Sequence, residues 1–348
     1  MNTMNDLPEL TPVRSAHQFS EENLKQYLSE YLTQSPDFSN LMVSQFEGGQ
    51  SNPTFLLQCD NEKMVLRKQP PGTLLKSAHQ VDREYKIMAA LGDTDVAVPK
   101  MILFCDDPEI IGTPFYMMEY VDGRVITDSR LTNFSPSQRG QLIDSAMKNL
   151  AALHLVNVNT VGLEDFGRSG NYFERQISRW TKQYQASETE ELPEMNRLID
   201  WLPKNIPIDD ESCIVHGDYR IGNVVVHPTE PTVIATLDWE LSTLGHPLAD
   251  LGHFCLMYYL ERDVDFDWSA AGYPTAEELC DMYCRYAGRE EIKNWNFYVV
   301  YSLFRIAAIV QGVYKRGLDG NASSEKWRTQ REGCEFASQQ ACKLIDQI

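Results

Sequence analysis

The period of apolar positions changes twice along the chain, near residue 40 and again near residue 123. Residues 1 to about 20 are polar and carry Pro8 and Pro12, which predicts a loose arm. Ser20 followed by Glu21, Glu22 and Asn23 reads as an N-cap with an acidic first turn, opening a helix to about residue 32. Strand-like runs follow at residues 41–46, 54–59 and 63–68, the last two separated by the turn residues Asp60 and Asn61. A helical pattern over residues 78–91 and apolar runs at 101–105 and 114–121 complete an antiparallel sheet of about five strands with one helix.

Beyond Gly123 the pattern is mainly helical, over residues 135–156, 172–185, a segment ending near Trp201 and several stretches after His246. One short β island interrupts it, residues 224–226 and 232–237, split by the turn residues 227–231. No internal repeat or low-complexity tract is present. This order predicts an α+β, protein kinase-like two-lobe fold, with a small antiparallel β-rich N-lobe and a large helical C-lobe. The expected division is an arm and helix over 1–39, an N-lobe over 40–121 and a C-lobe over 122–348.

Composition narrows the function classes. The chain is 348 residues long, 43% hydrophobic and 23% charged, with a formal net charge of −19. That acidic balance argues against nucleic acid or anionic membrane as a partner, since both need a basic footprint. A small molecule is the expected partner, while oligomeric state stays open. The eight cysteines form no C-x-x-C, and Cys280 and Cys284 have helical spacing, so buried free thiols in a reducing cytoplasm are expected. The N-terminus has no basic start followed by an apolar run, so no signal peptide is expected. Residues 297–314 are apolar enough to suggest a membrane span, but they contain Arg305 and Gln311. A charge at a bilayer centre costs roughly 2.5–3.5 kcal/mol even on lenient scales, so a buried core helix is predicted.

The chemistry concentrates in His216-Gly217-Asp218-Tyr219-Arg220-Ile221-Gly222-Asn223. Asp218 and Asn223 have the Asp-x-x-x-x-Asn spacing of a kinase catalytic loop, and Asp238 follows after the β island. Phosphoryl transfer needs a carboxylate to orient and deprotonate the acceptor, and hard oxygen ligands to hold Mg²⁺ against the phosphates. Asp218 fits the first task, and Asn223 and Asp238 fit the second. Arg220 stands where many protein kinases place a lysine on the transferred group, and its guanidinium suits charge spreading over the γ-oxygens. A metal-hydrolase reading of His216, Asp218 and Asp238 is the rival, weakened by the lack of a second histidine at ligand spacing nearby.

The nucleotide end is read from weaker signals. Gly48, Gly49 and Ser51 lie between two strand runs, where glycines would let backbone N–H groups approach a triphosphate. Arg67 shares a strand face with Val65, whereas Lys68 shares the other with Leu66, so Arg67 is the expected phosphate cation. A one-residue register slip would reverse that choice. Glu84 is its natural carboxylate partner. The Glu119 carbonyl and Val121 N–H, at a strand exit, are the expected contacts for an adenine edge.

These residues resemble the aminoglycoside phosphotransferase and choline kinase-like superfamily. The resemblance is carried by Val65-Leu66-Arg67, Met118-Glu119-Tyr120-Val121-Asp122-Gly123, Leu153-His154, His216-Gly217-Asp218 through Asn223, Leu237-Asp238-Trp239-Glu240 and Gly245-His246-Pro247-Leu248-Ala249-Asp250-Leu251. It spans about residues 40 to 315. Leu66-Arg67-Lys68-Gln69-Pro70-Pro71-Gly72, Ser77-Ala78-His79 and Arg83-Glu84-Tyr85 look more narrowly like the phosphotransferase domain fused to acyl-CoA dehydrogenase in some animal proteins. The chain leaves no room for a dehydrogenase, so the domain is expected to stand alone. The resemblance implies an ATP- and Mg²⁺-dependent phosphotransferase acting on a small-molecule hydroxyl, a hydroxyacyl-CoA ahead of others. An aminoglycoside or other amino-alcohol kinase and a catalytically silent nucleotide-binding module are the alternatives, and ATP against GTP stays open. It also implies that Asp250 is a structural carboxylate near the catalytic loop, capping the helix that starts there. His154, His246 and His253 are expected to be scaffold residues. No A-P-E motif follows Asp250, so a protein substrate is disfavoured.

Overall fold

A computed structural model describes residues 9–32, 37–47, 52–72, 80–263, 265–320 and 325–347. The strands are β1 (Leu10–Thr11), β2 (Met42–Phe46), β3 (Thr54–Cys59), β4 (Glu62–Lys68), β5 (Met101–Cys105), β6 (Phe115–Glu119), β7 (Arg124–Val125), β8 (Cys213–Val215), β9 (Val224–Val226), β10 (Val233–Thr236) and β11 (Thr243–Gly245). The helices are α1 (Glu21–Tyr31), α2 (Val81–Leu91), α3 (Pro108–Ile111), α4 (Pro136–Leu155), α5 (Tyr172–Ser187), α6 (Pro193–Trp201), α7 (Pro247–Phe254), α8 (Leu256–Leu260), α9 (Ala276–Ala287), α10 (Trp295–Leu318) and α11 (Gln330–Ile345). The chain divides into two compact units: one runs to Asp128 and takes in Gly222–Ser242, and the other holds Ser129–Ile221 and the chain from Thr243 onward. The division is therefore not a single cut at residue 121, because the β island returns to the first unit.

The first unit is built on a six-stranded antiparallel sheet in the order β1-β2-β3-β4-β6-β5. Alternation sorts its side chains between two faces. Phe55, Leu57, Met64, Leu66, Leu103, Phe115 and Met117 form one core with Leu24 and Leu28 of α1. Val65 and Arg67 of β4 lie on the other face, opposite Met118 and Tyr116 of β6. The predicted cap of α1 is present, with the Ser20 hydroxyl accepting from Asn23 N at 3.1 Å. One expectation fails: part of the arm is a strand. Leu10 and Thr11 pair with Phe46 and Gln45, and the Gln45 side chain accepts from Arg14 N at 3.0 Å. Two residues are too few to show a period, so the pairing left no sequence signal.

Within the same unit, β7, β9 and β10 form a small antiparallel sheet in the order β10-β9-β7. Gly123 makes the approach of β7 possible: a Cβ there would lie 2.5 Å from Val225 Cγ1 and 2.7 Å from the Val226 carbonyl oxygen.

The second unit is mainly helical around the two-stranded ladder of β8 and β11, which pairs Val215 with Thr243 and Cys213 with Gly245. Ser135 and Gln138 close a reciprocal capping box at the start of α4, as Thr275 and Glu278 do for α9. Helix α10 is long and apolar enough to cross a membrane, but 72% of its most apolar window is buried. It packs against α5, α7 and α11, as a core helix does.

Candidate active site

In the first unit, a cavity of about 300 Å³ is lined by Val65, Arg67, Met118, Glu119, Tyr120, Val121, Gly123, Val225 and Leu237, among others. The parity argument from sequence holds. Arg67 faces this cavity, while Lys68 points to the opposite face, where its Nζ donates to the Ile111 carbonyl at 3.1 Å and lies over the Phe19 ring. Burial lowers the Lys68 ammonium from its ordinary value. Glu119 and Val121 line the cavity, and the Glu119 carboxylate accepts from Lys100 N at 2.8 Å. Gly48, Gly49 and Ser51 lie outside the described residues, as do Ser77, Ala78 and His79.

Arg67 is the centre of a carboxylate network. Its Nε lies 3.0 Å from Glu84 Oε2, its Nη2 lies 3.0 Å from Asp238 Oδ1, and Glu240 Oε2 is 3.8 Å away. Burial opposes a charge on Arg67, but Glu84 and the other anionic partners outweigh it and hold the guanidinium ionised. Glu84 is 1% exposed on α2 and also accepts from Asn52 Nδ2 at 2.7 Å and Tyr116 Oη at 3.0 Å. Its burial raises the carboxyl above the usual range, and Arg67 opposes that rise. Asn52 was not foreseen, because nothing in the sequence beside it marks a partner 32 residues away.

Asn223 is buried, and its carbonyl accepts from Leu237 N at 2.8 Å, closing the hairpin before Asp238. Asp238 adopts a left-handed backbone, φ 65° and ψ 55°, with its carboxylate 37% exposed. Asp is among the few non-glycine residues that tolerate this region. An amide oxygen and a carboxylate are hard donors of the kind Mg²⁺ prefers, so the residue types fit that ion.

In the second unit, the loop after β8 carries His216, Gly217 and Asp218. Gly217 has φ 84°, which favours glycine. Asp250 of α7 is 1% exposed and accepts from His216 N at 2.6 Å and Gly217 N at 2.8 Å. His154 Nε2 approaches the same carboxylate at 3.4 Å. Burial opposes its ionisation, but His154 and the other neighbours hold the Asp250 carboxyl below its ordinary value. This corrects the expected cap: His246, not Asp250, caps α7, with Nδ1 accepting from Leu248 N at 3.2 Å. Asp250 sits in the first turn of α7, but its side chain is committed to the loop.

Asp218 itself is one-quarter exposed. Its Oδ1 lies 2.8 Å from His253 Nε2 and its Oδ2 lies 3.3 Å from Arg220 Nε, on a guanidinium that is 54% exposed. Arg305, buried in α10, donates to the Gly217 carbonyl and stacks 5.6 Å from the Trp180 ring. The role of Arg305 was legible only as an anomaly, a charge inside an apolar helix. His253 left no signal beyond its place one turn after Asp250.

Two other features were weighed. A larger cavity, about 680 Å³, is lined by Tyr172, Ile177, Lys182, Ile206 and Asp210 and contains none of the residues expected to do chemistry. Asp209, Glu211 and His246 bring ligand atoms within 4.8 Å of one another. Arg289 takes both oxygens of Glu211, and the capping bond leaves His246 Nε2 carrying its proton, so the donor set does not suit a cation.

The fold is kinase-like, and comparison with known proteins specifies the family. Residues 43–293 match the phosphotransferase enzyme family, and the chain belongs to it. It is similar to acyl-CoA dehydrogenase family member 11 of Homo sapiens, at 45% identity over 92% of this chain and 42% of that protein. The chain thus spans about two-fifths of the length of that curated relative. A crystal structure from Ralstonia eutropha JMP134, provisionally named an aminoglycoside phosphotransferase, superposes with a TM-score of 0.84 at 42% identity, covering 94% of this chain and 99% of that one. At 14–15% identity the same fold recurs in choline kinase from Cryptosporidium parvum Iowa II, TM-score 0.66, covering 94% and 97% of the two chains. It recurs again in a spectinomycin phosphotransferase in complex with ADP and spectinomycin, TM-score 0.61, covering 92% and 98%.

Proposed function

We propose that this protein transfers the γ-phosphoryl group of ATP, taken as its Mg²⁺ complex, to a hydroxyl group of a small organic acceptor, a hydroxyacyl-CoA foremost. The observation that carries the reading is the buried Arg67–Glu84 pair on the wall of the cavity that Val65, Met118 and Val121 line. Apolar strand residues suit an adenine ring, and a cation held by a buried carboxylate suits its phosphates. The name of the human relative, acyl-CoA dehydrogenase family member 11, favours an acyl-CoA acceptor.

In this reading Asp218 takes the proton of the acceptor hydroxyl, and Arg220 stabilises charge on the transferring group. Arg67, with Glu84 behind it, binds the phosphates, and the Glu119 carbonyl and Val121 N–H meet the adenine edge. Gly48, Gly49 and Ser51 cover the triphosphate. Asn223 and Asp238 would hold Mg²⁺, which when bound neutralises charge on the phosphate oxygens. The acceptor oxygen bonds to the γ-phosphorus, the bond to the β,γ-bridging oxygen breaks, and ADP leaves with that electron pair. The setting is a reducing cytoplasm, with a small molecule rather than nucleic acid or membrane as partner; all eight cysteines are free thiols and seven are buried.

The test is a mass-spectrometric search for a product heavier by one phosphoryl group, from Mg-ATP or Mg-GTP with hydroxyacyl-CoA thioesters and aminoglycosides. A phosphorylated thioester supports the reading. A phosphorylated aminoglycoside selects the amino-alcohol alternative. Thermal stabilisation by ATP without transfer to any alcohol would select a silent nucleotide-binding module.

A further inference from the structure

Asp218 has a buried partner that the reaction above does not use. His253, in the last turn of α7, is 8% exposed and puts Nε2 2.8 Å from Asp218 Oδ1. The pairing of β8 with β11 explains the meeting, because the loop after one strand and the helix after the other start from a single ladder. An ionised carboxylate can only accept, so the ring donates from Nε2. Its Nδ1 is buried and has no hydrogen-bond partner among the described residues. A second N–H at that position would be buried with no acceptor, so the geometry selects the neutral tautomer with its proton on Nε2. The charged and titratable groups around the ring are Asp218, with Arg220 and His216 on the same loop, Asp250 on α7 and Arg305 on α10.

We infer that His253 is a positioning residue for the proton acceptor: its Nε2–H occupies Oδ1 of Asp218, fixes the carboxylate plane and leaves Oδ2 as the oxygen that receives the acceptor's proton. The inference rests on the phosphotransferase reading. During transfer the acceptor O–H bond breaks and its proton passes to Oδ2, while the acceptor oxygen bonds to phosphorus and ADP departs. His253 gains and loses no proton. Arg220 Nε lies 3.3 Å from Oδ2, and its exposed guanidinium can move aside at little cost.

The experiment compares His253→Gln, whose amide N–H can replace Nε2–H, with His253→Phe, which fills the space and donates nothing. Phosphoryl transfer to water, read as Mg-ATP hydrolysis, is the probe reaction. His253→Phe should lower kcat about ten- to hundred-fold, a part of what a positioned base contributes. The KM for Mg-ATP should stay within about twofold, since the donated bond serves proton transfer rather than nucleotide binding. A carboxylate that loses a donated hydrogen bond holds its proton more tightly, so the acidic limb of kcat should move to higher pH. His253→Gln should restore most of the rate and the limb. A folded His253→Phe with the wild-type rate and limb overturns the role. If that variant does not fold, ring ¹⁵N spectra of the wild type decide: a neutral ring protonated on Nε2 and perturbed by Asp218→Asn supports the pair, and protonation on Nδ1 overturns it. A wild type that transfers phosphate to neither water nor any alcohol refutes the phosphotransferase reading, and this role falls with it.

Discussion

Arg67 Nε lies 3.0 Å from Glu84 Oε2, with the arginine side chain 12% exposed and the glutamate 1% exposed. A buried ion pair broken on one side leaves the other charge without its counterion, at a cost of about 3–5 kcal/mol. Glu84→Gln should therefore destabilise the fold by about 3 kcal/mol, moderated by the Asp238 carboxylate that Arg67 keeps. It should also weaken Mg-ATP binding, as should Arg67→Met. Urea unfolding and a fluorescent-nucleotide titration measure the two effects. Unchanged nucleotide affinity in both variants would remove Arg67 from the phosphate site.

Asp218 and Asp238 should fail differently. Asp218→Asn removes the proposed proton acceptor and should cost about 10²–10⁴ in kcat while leaving Mg-ATP affinity near that of the wild type. Asp238→Asn should instead raise the Mg²⁺ concentration needed for half-maximal nucleotide binding. Isothermal titration at varied Mg²⁺ beside steady-state kinetics separates them. Near-native kcat in Asp218→Asn would show that another group takes the proton.

Arg305 gives a third outcome. Its guanidinium donates to the Gly217 carbonyl from inside an apolar helix. Arg305→Met keeps the apolar stem and removes the charge, leaving that carbonyl without its cationic donor. A hydrogen bond to a charged group contributes about 1.5–3 kcal/mol, so the variant should unfold at lower denaturant and lose activity together. Circular dichroism should show α10 intact. An active, equally stable Arg305→Met would mean the loop holds its shape through Asp250 alone.

Acid should destabilise the protein before the carboxylates titrate. Burial holds the His246 imidazole down at about 4, against 6.5 when exposed. Between those values the unfolded chain binds a proton that the folded chain refuses, so stability falls as pH drops from 6.5 toward 4. The slope is about 1.4 kcal/mol per pH unit for one such group, and His253, also lowered by burial, adds to it. His246→Asn keeps a residue able to cap α7 and removes one of the two slopes. Calorimetric midpoints from pH 4.5 to 7.5 test this: a variant curve parallel to the wild type would show that His246 titrates normally.

Local structure was legible in sequence wherever spacing or parity carries the information. The Ser20 cap and the opposite faces taken by Arg67 and Lys68 are set within one or two turns of chain. What escaped depends on partners far apart in sequence. His253 reaches Asp218 across 35 residues, and Arg305 reaches Gly217 across 88. Asp250 was rightly placed near the loop, but its helix position suggested a cap. Two backbone N–H groups of the loop are stronger claimants for a buried carboxylate than a terminus that His246 already serves.

The left-handed backbone at Asp238 restricts which substitutions can be interpreted there. Alanine would combine a lost carboxylate with a main-chain penalty, so its phenotype would mix two causes. Asparagine tolerates the same dihedral angles and retains one oxygen, which isolates charge as the variable. Asparagine is accordingly the informative exchange there, and a branched side chain the least informative.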